Sequence, residues 1–142
     1  MRVVFDTNVL ASGILGIGNR QSLPGRLLRA WSGGQFELIV SQHILAELRQ
    51  TFSKPYFLRR LTQQQVGSGV DALRRQATPV DVTVEVYGVA THPEDEMILA
   101  AAVSAQADYL VTGDHQLQQV GTYEGVTILS PRQFLDVLTS LP

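Results

Sequence analysis

Short apolar runs alternate with helical patterns along the whole chain, and this alternation limits the possible folds more than any other feature. The runs are rich in Val, Ile, Phe and Tyr, which is typical of β-strands. They are Val3–Phe5, Phe36–Val40, Tyr109–Val111 and Val126–Leu129, together with an alternating run from Val80 to Val86. Strands that alternate with helices predict a three-layer α/β fold with a mainly parallel central sheet. Since no linker or repeat interrupts the pattern, we expect a single domain over residues 1–142.

The segments between these runs carry apolar residues at helical spacing, and several of them begin with a capping residue. The predicted helices are Ser22–Trp31, Ser41–Phe52, one that begins in a capping box at Thr91 and continues to Ala107, and one that begins in a capping box at Ser130. Residues 58–75 are more polar, and the stretch "TQQQVGSGV" within them predicts a turn between two helices.

Composition excludes several classes of site and location. The chain has no cysteine, which excludes disulfides, thiol catalysis and thiolate-bound zinc. It has no apolar stretch long enough to span a bilayer and no recognisable signal peptide, so we expect a cytoplasmic protein without membrane contact. The net charge is −2, but ten of the eleven basic residues are Arg, whose planar guanidinium suits phosphate.

Carboxylates follow the predicted strands at the points where ligands bind in parallel sheets. Asp6 ends the first strand and Asp114 ends a later one. Asp95 lies in the first turn of a helix that follows a strand, and Glu47 lies about two turns into the helix after the second strand. Four carboxylates in one cleft would repel each other, and Mg²⁺ or Mn²⁺ would relieve the conflict because these cations prefer oxygen ligands. Each acid also has an ordinary alternative as a helix cap, a turn residue or an exposed charge.

Four segments in order resemble the PIN-domain family, most closely its small bacterial members that act as toxin components of toxin–antitoxin pairs. They are "VVFDTNVLAS", "SQHILAELRQTF", "HPEDEMILAAAVSAQADYLVTGDHQL" and "VTILSPRQFLDVL". The resemblance implies an α/β/α fold, a Mg²⁺- or Mn²⁺-dependent ribonuclease activity and the metal-binding catalytic set Asp6, Glu47, Asp95 and Asp114. It also implies an RNA substrate and an antitoxin protein as a partner. A homodimer is a further expectation.

The resemblance assigns roles to residues around these acids. Asn8 would orient Asp6, and Thr112 would line the site beside Asp114. The local pattern "DEMI" favours Asp95 over its acidic neighbours as the third ligand. One departure is His92, which stands where relatives often have Asp, and a His there would either weaken an outer contact to the metal or donate to a phosphate.

The substrate would be held by arginines around the cleft, and three are candidates for RNA binding: Arg20, Arg26 and Arg49. The alternative for each is a solvent-facing charge on a helix exterior. Two other functions stay open at this stage. One is a catalytically inactive module that binds RNA or an antitoxin. The other is a haloacid-dehalogenase-like phosphatase, which is disfavoured because that chemistry needs a second Asp where this chain has Asn8.

Overall fold

A computed structural model describes all residues from Met1 to Pro142, and its centre is a six-stranded sheet. The strands are β1 (Arg2–Phe5), β2 (Glu37–Val40), β3 (Thr78–Pro79), β4 (Tyr109–Val111), β5 (Thr122–Tyr123) and β6 (Val126–Leu129). Their order across the sheet is β3-β2-β1-β4-β6-β5, and every neighbouring pair is parallel except β5 with β6. This confirms the predicted α/β fold with a mainly parallel sheet.

Eight helices connect and flank the strands. They are α1 (Thr7–Leu15), α2 (Leu23–Ser32), α3 (Gln42–Phe52), α4 (Pro55–Leu58), α5 (Gln63–Gln76), α6 (Pro93–Ser104), α7 (His115–Gln118) and α8 (Pro131–Thr139). The caps at Ser22, Ser41 and Ser130 form as predicted, and Ser130 makes a complete capping box with Gln133. None of these helices is long and apolar enough to cross a membrane.

The first strand occupies the middle of the sheet, and this position determines where its last residue points. Val4 is in register with Ile39 of β2 on one side and with Leu110 of β4 on the other. Val3, Val4 and Phe5 are fully buried, as expected for a strand covered on both faces. The backbone N–H of Asp6 still donates to the carbonyl of Val111 at 2.8 Å. Asp6 therefore emerges directly beside the end of β4.

A single cluster of 38 buried apolar residues forms the core. Three aromatic rings lie at its centre, with Phe36 packed edge-on against Phe134 at 5.1 Å between centroids and Phe5 within 6 Å of both. Such tilted and edge-on pairs add stability beyond the area they bury. This core fixes the helices α1, α6 and α8 against the sheet and so fixes the ends of β1 and β4.

The strand predicted over Val80–Val86 is not formed, and that prediction is wrong. Only Thr78 and Pro79 pair with β2, and the last ladder bond runs from the N–H of Val80 to the carbonyl of Val40. Because β2 ends at Val40, the residues after Val80 have no neighbouring strand to pair with. The alternating sequence therefore continues beyond the sheet as an irregular segment.

Two helix predictions also need correction. The predicted turn within residues 58–75 is instead part of the continuous helix α5, which begins in a capping box between Thr62 and Gln65. Gly69 inside α5 is a packing requirement rather than a break, because a Cβ there would lie 2.8 Å from the side chain of Ile14. The helix predicted to begin at a Thr91 cap begins instead at Pro93, with His92 at the N-cap position and no side-chain cap bond.

Candidate functional site

Asp6 and Thr112 form a buried pair at the carboxyl edge of the sheet. Asp6 Oδ2 accepts a hydrogen bond of 2.7 Å from the hydroxyl of Thr112, and Asp6 Oδ1 accepts one of 2.7 Å from the backbone N–H of Thr7. Thr112 is fully buried and Asp6 is 8% exposed. Burial raises the pKa of Asp6, and the negative charge of Asp114 adds to this, while the two hydrogen bonds oppose it. Asp6 thus caps α1 and also remains a carboxylate held away from water.

Asp114 is tied to the same threonine. Its backbone N–H donates to the Thr112 hydroxyl at 3.0 Å, so this hydroxyl accepts from Asp114 while it donates to Asp6. Asp114 Oδ1 accepts from the N–H groups of Gln116 and Leu117 at the start of α7. Its Oδ2 accepts no hydrogen bond from the protein. One oxygen of Asp114 is therefore fixed by the backbone, and the other is free to accept from a ligand.

Asp95 lies in the first turn of α6, close enough to Asp6 and Asp114 for their charges to raise its pKa. Its pKa is raised to about 6, first by partial burial, then by the charges of Asp6 and Asp114, with His92 opposing the shift. The only charged pairs in the structure are Arg2 with Glu37 and His43 with Glu47, so no Lys or Arg neutralises these three aspartates. The site is a concentration of negative charge that would attract a cation.

The contact that the structure gives Glu47 is with a histidine. Glu47 lies on α3, where its Oε2 is 3.1 Å from Nε2 of His43 one turn earlier, although the contact lacks hydrogen-bond geometry. Neither Asp6 nor Asp95 has Glu47 among the causes of its pKa shift. Sequence reasoning missed His43, and its spacing of four residues from Glu47 was the available signal.

No three Asp, Glu or His side chains are arranged so that they could hold a metal ion as they stand. Mg²⁺ does not require such an arrangement, because it commonly keeps several waters and binds through one or two carboxylates together with a substrate phosphate. The oxygen-only donors and the unneutralised charge of Asp6, Asp95 and Asp114 fit a hydrated Mg²⁺ or Mn²⁺ of this kind.

The predicted role of Asn8 as the group that orients Asp6 does not match the geometry. Asn8 is exposed on the first turn of α1, whereas both oxygens of Asp6 are occupied by Thr7 and Thr112. Thr112 is therefore the residue that positions Asp6, in addition to lining the site. This pairing joins residues 106 positions apart and could not be read from local sequence.

The structure does not place the three candidate arginines against the carboxylates. Arg20 is exposed in the loop between α1 and α2. Arg26 lines a groove with Gln35, which precedes β2, and with Thr139, which ends α8, so it lies toward the amino ends of the strands. Arg49 is exposed in the last turn of α3 and shares a groove with Arg74. Their role in RNA binding remains a prediction.

Comparison with known proteins agrees with this architecture. A solved structure, the crystal structure of VapBC2 from Rickettsia felis bound to a DNA fragment from their promoter, superposes with a TM-score of 0.58. The match covers 92% of this chain and 98% of that chain at 16% sequence identity, which shows a shared fold. The comparison with curated protein sequences gave no match. A family model described as PIN domain matches residues 2–116, a range that includes the strand ends and all four predicted acids. The chain therefore belongs to the PIN-domain family.

Proposed function

We propose that this protein is a Mg²⁺- or Mn²⁺-dependent endoribonuclease that hydrolyses phosphodiester bonds of RNA. The observation that carries the proposal is the grouping of Asp6, Asp95 and Asp114 without a Lys or Arg partner, in a chain of the PIN-domain family. Three uncompensated carboxylates cost folding free energy. Their placement at the ligand-binding edge of a parallel sheet supports a site for a divalent cation.

The three aspartates would hold the metal, and Glu47 would join them only if it left His43. When bound, a divalent ion polarises a phosphoryl oxygen and makes a coordinated water more acidic. Thr112 keeps Asp6 in one orientation and fixes the backbone of Asp114, so both carboxylates are positioned before a ligand arrives. The free oxygen of Asp114 and the partly exposed carboxylate of Asp95 would orient the attacking water.

The biological setting that we propose is a toxin–antitoxin pair in the cytoplasm. The related Rickettsia felis structure is titled as VapBC2 bound to a DNA fragment from their promoter. By analogy, this chain would be the ribonuclease of such a pair, with an antitoxin protein as its partner and a homodimer as a further possibility for its assembly. Membership of the PIN-domain family removes the support for a haloacid-dehalogenase-like phosphatase.

A second candidate function is a catalytically inactive module that binds RNA or an antitoxin. Two observations favour it. Glu47 contacts His43, and no three acidic side chains are arranged to bind a metal ion together. An inactive module would bind RNA without cleaving it under any metal condition.

Cleavage of RNA with Mg²⁺ or Mn²⁺, with and without EDTA, distinguishes these functions. We expect cleavage that EDTA abolishes and added Mn²⁺ restores. Asp6→Asn should lower the rate at least roughly 10- to 100-fold, because the loss of a direct ligand exceeds the typical effect of an outer-shell change. Glu124→Gln, an exposed acid after β5, is the matched control and should retain full activity. EDTA-resistant cleavage, or full activity of Asp6→Asn protein, would contradict the proposed site.

A further inference from the structure

The irregular segment from Val80 to Tyr87 borders a cavity of about 540 Å³ that the proposed nuclease reaction does not use. The other walls of the cavity are the first turn of α3 and the outer side of α6. Three large apolar side chains at this cavity are unusually exposed, with Val82 at 47%, Met97 at 46% and Tyr87 at 76%. Exposed apolar groups gathered around a cavity indicate a surface that another molecule covers.

The backbone of this segment has free hydrogen-bonding groups. Of the eight N–H groups between Val80 and Tyr87, only those of Val80 and Thr83 donate, to Val40 and to the Ser104 hydroxyl. No carbonyl group of the segment accepts a hydrogen bond from the protein. The segment continues from β3, which is the edge strand of the sheet. A segment that leaves an edge strand with its backbone groups unpaired can serve as a template for the addition of a further strand.

The side chains of the segment alternate as those of a strand would. Val80, Val84 and Val86 are buried or half-buried, Asp81 and Glu85 between them are exposed, and Val82 is an exposed exception among the valines. A strand added here would meet apolar side chains at one position and carboxylates at the next. A peptide that fits this segment should therefore also alternate, with one residue type at every second position.

The charge around the cavity selects a basic partner. Residues 76–131 contain no Lys or Arg, and the cavity wall contributes Asp81, Glu85 and Glu96. Residues 1–76 carry ten basic and four acidic residues, whereas residues 77–142 carry one basic and nine acidic residues. This acidic surface would repel RNA, whose phosphates need positive charge.

We propose that the cavity and the segment Val80–Tyr87 form a docking site for an extended peptide of a partner protein in which apolar and basic residues alternate. The peptide adds as a strand along the segment. Its apolar side chains enter the cavity beside Val82 and Met97, and its Arg or Lys side chains pair with Asp81 and Glu85. The site does not depend on the proposed nuclease activity, because none of the three clustered aspartates takes part in it.

Binding of a labelled, capped peptide of about eight alternating Arg and Val residues, the length of a typical strand, tests the proposal. Fluorescence anisotropy with the full chain should show saturable binding that weakens as salt is added. The same peptide with Glu in place of Arg should not bind. A peptide with backbone N-methyl groups on the face toward the segment keeps its charge but cannot pair as a strand, and it should bind at least tenfold more weakly.

The double variant Asp81→Asn with Glu85→Gln should bind the Arg peptide about fivefold more weakly, as expected for the loss of two exposed ion pairs. Glu124→Gln with Asp136→Asn removes the same charge from exposed positions elsewhere and should bind like the wild type. The proposal is overturned if the peptide does not bind, if the Glu or N-methyl peptide binds equally, or if both double variants behave alike. It is also overturned if the Asp81 and Glu85 variant changes the oligomeric state, because the site would then be covered by a second copy.

Discussion

Replacement of Asp95 by Asn should stabilise the metal-free protein, although it removes a favourable charge from a helix start. The pKa of Asp95 rises from an ordinary value of about 3.9 to about 6 in the folded chain. A rise of this size corresponds to roughly 3 kcal/mol of unfavourable charge burial. We reduce this to about 1 kcal/mol, because water screens the exposed part of the side chain. The loss of a charge from the first turn of α6 offsets about 0.5 kcal/mol of the gain.

Glu94 provides a matched control for the helix contribution. It is exposed, lies one position earlier in the same turn, and is the smallest contributor to the shift of Asp95. Glu94→Gln loses the same favourable interaction with the helix N-terminus without relieving the main repulsion. In thermal melts with EDTA at about pH 7.5, Asp95→Asn should therefore melt about 3 °C above Glu94→Gln, given the usual relation between stability and melting temperature.

The free energy of unfolding should depend on pH in a direction that follows from the raised pKa of Asp95. The folded chain holds the proton on Asp95 more tightly than the unfolded chain does, so the stability of the wild type falls as pH rises from about 4 to about 6. The advantage of Asp95→Asn should be small near pH 4, grow through this window and stay constant above it. If Asp95→Asn is destabilised as much as Glu94→Gln at about pH 7.5, the three carboxylates do not repel each other and the reasoning about the site is refuted.

Three further predictions follow from the same geometry. Thr112→Val should lower the free energy of unfolding, measured in urea, by about 1–3 kcal/mol, because buried Asp6 loses a hydrogen-bond donor. Thr51→Val is the control, since the hydroxyl of Thr51 donates only to a carbonyl within α3, and its free energy of unfolding should fall by less. Saturating Mn²⁺, at about 100 times its dissociation constant, should raise the free energy of unfolding by about 2.7 kcal/mol, which is about 10 °C in melting temperature at neutral pH. The shift should be smaller at about pH 5, because protons compete with the metal for the carboxylates. A shift below about a degree at neutral pH would contradict a metal site. If Arg49 binds phosphate, Arg49→Ala should flatten the log–log salt dependence of RNA binding by about 0.7, while Arg26→Ala should not. The reverse result would place the RNA at the groove that Arg26 lines beside α8.

Local sequence patterns were sufficient to predict β1, β2, β4 and β6 and the helices α2, α3, α6 and α8, because caps and apolar periodicity act within a few residues. They failed where a distant neighbour decides the outcome. The alternation from Val80 to Val86 is reflected in the burial of the side chains, but a strand needs a partner, and β2 ends before this segment begins. Gly69 resembles a turn signal in sequence, yet it serves the close approach of Ile14 from α1.

In the candidate site, too, some features could be predicted from the sequence and others could not. The positions of Asp6 and Asp114 follow from the rule that the ends of parallel strands meet at one edge, and β1 and β4 are indeed adjacent. The groups that hold these acids could not be predicted, because they depend on rotamers across the sheet. The family resemblance assigned the orienting role to Asn8, whereas the structure gives it to the hydroxyl of Thr112.

The energetics of the aspartate cluster provide an argument for function that is independent of family membership. Burial raises the pKa of Asp6, and the same effect together with its acidic neighbours raises that of Asp95, so both carboxylates destabilise the folded chain at neutral pH. Asn at position 6 would keep the capping bond that Thr7 donates but would lose the bond that the Thr112 hydroxyl donates, so the comparison with an amide is made at Asp95. Stability alone therefore favours the amide at position 95, and a chain that keeps Asp95 retains a cost at neutral pH that a bound cation removes. The reasoning requires Asp95→Asn to be at once more stable than the wild type in EDTA and less active with metal.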